Sequence, residues 1–95
     1  MIIVTVKSNP KPEFKIDFLN EFNNIAKTVR EEQGCIEYQI YQKDKDSSDL
    51  FVFERWESRD ALDAHLKTKH MIEFFETTGS WFELEKELKI YEVSE

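Results

Sequence analysis

An α+β fold, with elements in the order β-α-β-β-α-β and one four-stranded antiparallel sheet, is predicted by three features of the sequence. Short β-branched or alternating apolar segments recur at 2–7, 35–41, 50–56 and 85–93. One stretch of helical period separates the first two, and two shorter ones separate the last two. The turn "QKDKDSSD" joins the middle strands as a hairpin. Ninety-five residues make one domain, 1–95, with no room for a second.

"IIVTVK" (2–7) is β-branched on both alternating sets, which predicts a strand covered on two faces. "SNPKP" breaks it, and Pro12 suits the first turn of a helix, where its missing N–H costs nothing. Phe14, Phe18, Phe22, Ile25, Ala26 and Val29 then follow on one helical face, with Lys15, Asp17, Glu21 and Arg30 toward water. Gly34 is expected to end this helix as a left-handed cap. "CIEYQIY" (35–41) alternates, with Ile36, Tyr38 and Ile40 on one face.

"LFVFERW" (50–56) carries Leu50, Val52, Glu54 and Trp56 on one face and Phe51, Phe53 and Arg55 on the other. Ser58 is placed to N-cap a short helix whose inner face is Ala61, Leu62, His65 and Leu66, with Asp60 favouring the dipole. Thr68 caps another, with Met71, Phe74, Phe75 and Thr78 inward and Gly79 closing it. Phe82, Leu84, Leu88 and Ile90 alternate through "FELEKELKIYEV", interrupted by Lys86, so at least 85–93 form the last strand.

This order is the ferredoxin-like split βαβ pattern, with helices on one side of the sheet. Strands 1 and 3 are nevertheless apolar on both faces. A second copy of the chain is the simplest cover for the other face, so a homodimer through the sheet face is expected.

Composition narrows the function classes. The chain is 40% apolar with eight Phe, three Tyr and two Trp, ample material for a core. Thirteen basic residues against 20 acidic ones give a net charge of −7, which argues against nucleic acid and anionic membrane surfaces as partners. Cys35 is the single cysteine, so neither an intrachain disulfide nor an all-cysteine metal site can form. With no base adjacent in sequence, Cys35 reads as a small packing residue. "MIIVTVK" has neither the basic lead of a signal peptide nor the length of a membrane span, so a cytoplasmic location is expected.

The chemistry-bearing residues concentrate in "FERWESRDALDAHLKTKH" (53–70). His65 and His70 lie five apart, about 500° around a helix, so they diverge and no third ligand stands at fixed spacing; no metal site is expected. His65 reads either as a core-edge histidine or as an acid/base facing a cavity. His70 reads first as a group that fixes the helix junction. Glu54, if its face is covered, is either a carboxylate of raised pKa able to act as a base or one member of an ion pair with a neighbouring strand. Arg55, on the opposite face, is expected to form an ion pair toward a dimer partner. Trp56, Tyr38, Phe74 and Phe75 read as core first and as walls of a pocket second.

The ordered segments "EEQGCIEYQIYQ", "FVFERWES" and "ALDAHLKTKHMIEFFE", spanning residues 31–76, resemble the antibiotic biosynthesis monooxygenase family, and within it the bacterial quinol monooxygenase-like members. The resemblance implies a dimeric α+β barrel with an apolar cavity between sheet and helices in each subunit. It implies oxygenation without a cofactor: dioxygen is the co-substrate, and the protein supplies a dry cavity, orientation and a base. It also places His65 at the cavity. The haem-degrading relatives use an asparagine in strand 1 and a histidine near Phe74 and Phe75. Residues 2–7 hold no Asn and 72–78 no His, so haem is not expected.

Three functions stay open at this stage. The first is monooxygenation of a quinol-like or polyphenolic small aromatic substrate. There His65 and Glu54 handle protons and Trp56, Tyr38, Phe74, Phe75 and His70 bind substrate. The second is an isomerase of a small oxygenated metabolite in the same cavity. The third is a noncatalytic dimeric binding or stress-response domain.

Overall fold

The structure is a computed structural model and describes residues 1–94. It contains β1 (Ile2–Ser8), α1 (Lys15–Val29), β2 (Cys35–Gln42), β3 (Leu50–Trp56), α2 (Arg59–Leu66), α3 (Lys69–Thr78) and β4 (Glu87–Glu92). The strands form one antiparallel sheet in the order β2-β3-β1-β4, the predicted ferredoxin-like α+β topology.

Ile2, Val4, Val6 and Ser8 of β1 and Leu50, Val52, Glu54 and Trp56 of β3 share the face covered by the helices. Phe18, Phe22, Ala26 and Val29 of α1, Leu62 of α2 and Met71 and Phe74 of α3 close over it. The caps follow the sequence. Ser58 Oγ accepts the Ala61 N–H at 3.2 Å and Thr68 Oγ1 accepts the Met71 N–H at 3.3 Å. Thr68 Oγ1 also donates to the His65 carbonyl at 2.8 Å, so one hydroxyl ties the end of α2 to the start of α3.

Several boundaries differ from expectation for local reasons. Pro12–Phe14 form a 3₁₀ turn and the α-helix begins only at Lys15. The helix then ends at Val29. Gly34 adopts φ 84°, yet it closes the turn into β2 rather than capping the helix itself. Glu57 donates its N–H to the Gly34 carbonyl at 2.8 Å, and a Cβ at Gly34 would lie 2.5 Å from that of Ala61.

Ile36 does not share the buried face with Tyr38. Cys35 pairs with Trp56 and Glu37 with Arg55, so Ile36 is the extra residue of a β-bulge and stays 42% exposed. β4 is shorter than the expected 85–93 because its ladder partner β1 ends at Ser8; the last register pair is Lys7–Glu87. Among the described residues no helix covers this edge strand, and Leu88, Ile90 and Tyr91 remain exposed.

On the far face, Ile3, Phe51 and Phe53 are half-buried with no second layer of structure over them, beside the exposed Tyr41. Arg55 sits on this face but forms its ion pair within the chain, Nε to Glu37 Oε1 at 2.8 Å across the β2–β3 ladder. The pairing expected toward a dimer partner is thus made by the neighbouring strand.

Candidate active site

A cavity of about 130 Å³ separates the helix-covered face of the sheet from the helices. Its volume is on the scale of the ~150 Å³ apolar cavities that take up a single aromatic ring. Val4, Val6 and Val52 form its floor, Phe18, Phe22, Met71 and Phe74 its roof, and Leu66, Phe75, Leu88 and Ile90 its open side beside β4. A larger depression of about 510 Å³ lies at the other end of the sheet, around Lys7, Tyr41 and Phe51. It is the more open of the two, whereas the smaller cavity gathers the buried titratable groups His65, Glu54 and Tyr38. The smaller one is therefore the candidate site.

His65 lines that cavity with only 1% of its surface exposed. Its Nδ1 lies 3.1 Å from both oxygens of Glu32, in the turn between α1 and β2. A carboxylate can only accept, so Nδ1 carries the hydrogen and the neutral ring keeps its lone pair on Nε2. Burial pushes the His65 pKa below its ordinary 6.5, although the Glu32 hydrogen bond pulls the other way. The imidazole is thus neutral at neutral pH and held in place by Glu32.

Glu54 is 7% exposed and lines the cavity beside Tyr38, its register partner on β2. Its Oε1 accepts the Trp56 indole N–H at 3.0 Å. Among the described residues no Lys or Arg pairs with it, so the ion pair expected as the alternative is not made. Burial raises its pKa from 4.5 to about 7; the Trp56 hydrogen bond opposes that rise, and Glu32 adds to it. A carboxyl that exchanges its proton near neutrality therefore stands in the same cavity as the neutral imidazole.

Tyr38 lines the cavity, stacks on Phe22 at 4.9 Å and meets the His65 ring edge-on at 5.7 Å. Burial, with Glu54 and Glu32 nearby, holds its hydroxyl protonated well above the ordinary range. It can donate to a substrate oxygen but does not supply a base.

Trp56 is fully buried and lies outside the cavity wall. Its ring packs 4.5 Å from His65 and its indole holds Glu54, so it stands behind the site. His70 is also off the wall: it is on the first turn of α3, and its Nε2 lies 2.8 Å from Glu32 Oε2. It acts on the carboxylate that orients His65. Phe74 lines the cavity as expected, while Phe75 is 41% exposed and forms its rim. Cys35 is half-buried, and burial first, then Glu32 and Glu54, lifts its thiol to about 11; it is no nucleophile.

The two histidines share the Glu32 carboxylate between them, and among the described residues no three His, Cys, Asp or Glu side chains could hold a metal ion. Glu32, Ser8 and Lys86 are site residues that sequence reasoning missed. Glu32 is 33 residues from His65, and no spacing rule connects a turn carboxylate to a helix that far away.

Known proteins share the sequence pattern and the fold of this chain. Residues 1–77 fit the model of the family described as antibiotic biosynthesis monooxygenase. The chain belongs to that family. A relative from Escherichia coli (strain K12), named "Probable quinol monooxygenase YgiN", is 28% identical over 78 residues, covering 74% of this chain and 75% of that protein. A conserved protein of Methanosarcina mazei Go1 has a crystal structure that superposes with a TM-score of 0.89 at 31% identity, over 95% of this chain and 89% of that one. Rv0793 from Mycobacterium tuberculosis shares the fold, with a TM-score of 0.90 at 23% identity, over 99% and 95% of the two chains. A general monooxygenase activity, the one the family is named for, is compatible with an apolar cavity that holds proton-handling side chains.

Proposed function

We propose that this protein oxygenates a small quinol-like aromatic in the cavity between sheet and helices. What supports this reading is His65, which lines the apolar cavity, is held by Glu32 through Nδ1 and has a lowered pKa. His65 takes the phenolic proton, and Tyr38 donates a hydrogen bond to the second ring oxygen. The resulting electron-rich anion reacts with dioxygen: a quinol and O2 give a hydroxyquinone and water, with one oxygen atom in each product. Glu54, titrating near pH 7, returns a proton to the departing oxygen. The apolar walls keep bulk water from the anion and admit dioxygen.

The active unit is a homodimer joined through the open sheet face, where Ile3, Phe51 and Phe53 need cover. It works in the reducing cytoplasm, where the single Cys35 stays a thiol.

Oxygen uptake by the purified protein with a panel of simple quinols tests the proposal. General-base catalysis contributes about 10²–10⁴-fold, so His65→Ala is expected to lower kcat by at least about 100-fold. Glu32→Gln, which keeps the shape but not the charge that orients Nδ1–H, is expected to lower kcat with little change in KM. Full activity in His65→Ala removes His65 as the base. No uptake with any quinol turns the reading toward an isomerase or a binding domain.

A further inference from the structure

Lys86 breaks the apolar alternation of the last segment, and the structure turns it into the cavity. It lines the space with Leu88 and Ile90, while its neighbours Glu85 and Glu87 line the adjoining depression, which Ser8 also borders. Glu87 is already occupied by Lys89 at 3.2 Å. Lys86 makes no ion pair among the described residues, although acidic side chains outnumber basic ones 20 to 13. Its ammonium instead rests over two aromatic faces, 4.3 Å from the Phe82 ring centre and 5.7 Å from that of Phe75. Burial weakens its hold on the proton, the sign of a cation short of water and of counter-charge.

Ser8 stands at the same end. It is 7% exposed, lines the same cavity, and its Oγ is the one buried side-chain polar atom without a partner among the described residues. A buried hydroxyl left unpaired is costly unless a ligand completes it. Ser8 and Lys86 each lie one step past the last register pair, Lys7–Glu87, and both line the cavity.

This end is well separated from the proton-handling end. Val4 pairs with Glu54, and Ser8 lies four residues further along β1, roughly 13 Å at about 3.3 Å per residue. We propose that Ser8 and Lys86 form a second anchor that takes a carboxylate on the substrate's far end. The cavity would then select an aromatic acid, with a phenolic ring at His65 and a short carboxylate arm at the β4 mouth. One ammonium and one hydroxyl match a single negative charge; a phosphate dianion would call for more donors than this end supplies. The inference rests on the phenol-binding reading of the His65 end, and it names the class of substrate that reading left open.

Calorimetric titration at pH 7 with 3-(4-hydroxyphenyl)propanoate and with its neutral propanamide tests the anchor without turnover. The wild type is expected to bind the acid about tenfold or more tightly than the amide, the scale of one charge-assisted hydrogen bond. Lys86→Met should abolish that preference, Lys86→Arg should keep it, and Ser8→Ala should narrow it. Equal affinities in the wild type, no binding of either ligand at millimolar concentration, or an intact preference in Lys86→Met each overturns the proposal. An oxygenase reading that fails shows itself differently: no quinol supports oxygen uptake while the acid preference stands.

Discussion

Glu54 offers the sharpest physical prediction because its environment works against its charge. Its carboxyl is buried between Val52, Trp56 and the register partners Val4 and Tyr38, with one indole N–H as its hydrogen-bond donor. The fold therefore raises its pKa from 4.5 to about 7. Between those two values the folded protein holds a proton that the unfolded chain has released. Stability contributed by this group must then fall as pH rises through the window, be fully retained below about 4.5 and be fully lost above about 7. At about 1.4 kcal/mol for each tenfold change in proton affinity, the loss is roughly 3 kcal/mol.

Glu54→Gln keeps the shape and still accepts the Trp56 N–H, but it never ionises. Urea denaturation of both proteins at pH 5, 6, 7 and 8 isolates the effect, since the rest of the chain is the same in both. His65 acts with the opposite sign: with a lowered pKa it costs stability at acid pH and nothing above about 6.5. The expected outcome is a variant whose advantage over wild type grows by roughly 2.5 kcal/mol from pH 5 to pH 8. A difference that stays constant across that range refutes the assignment of a near-neutral pKa to Glu54.

Other consequences are equally direct. Trp56→Phe removes the hydrogen bond that holds Glu54 down, so a carbon-13 NMR titration of the Glu54 carboxyl should show its pKa above the wild-type value; an unchanged value contradicts the indole's role. Gly34→Ala combines φ 84° with a Cβ only 2.5 Å from Ala61 Cβ and should cost roughly 2–3 kcal/mol, read as a drop of about 10 °C or more in Tm. A variant melting like wild type would contradict the close approach of that turn to α2. Phe53→Glu puts a charge on the open sheet face and should shift the protein from dimer to monomer by light scattering. A wild type already monomeric at micromolar concentration contradicts the covered-face argument.

The fold was readable because its signals are local. The alternation in 50–56, the helical period of Phe18, Phe22, Ala26 and Val29, and the Ser58 and Thr68 caps each depend on neighbours a few residues away. His65 and Glu54 were legible as candidates for the same reason, since each carried chemistry on a face the periodicity marked as covered. What escaped was set by tertiary approach. The bulge that turns Ile36 outward has no mark in an alternating strand. Glu32 meets His65 and His70 only because the α1–β2 turn folds under the junction of α2 and α3. Lys86 read as an interruption because an inward lysine needs the Phe75 and Phe82 rings to explain it, and neither ring's position follows from spacing. Trp56 went the other way: its place on the covered face was right, but Glu54 and His65 stand between it and the cavity.

The central claim is that His65, oriented by Glu32, faces the reacting ring of a phenolic substrate. A crystal structure with 3-(4-hydroxyphenyl)propanoate bound measures this most directly. The account predicts the ring inside the cavity under Phe74, with its hydroxyl within hydrogen-bond distance of His65 Nε2 and Nδ1 still on Glu32. A ligand lodged in the depression by Lys7 and Tyr41, or a ring whose hydroxyl turns away from His65, would contradict it.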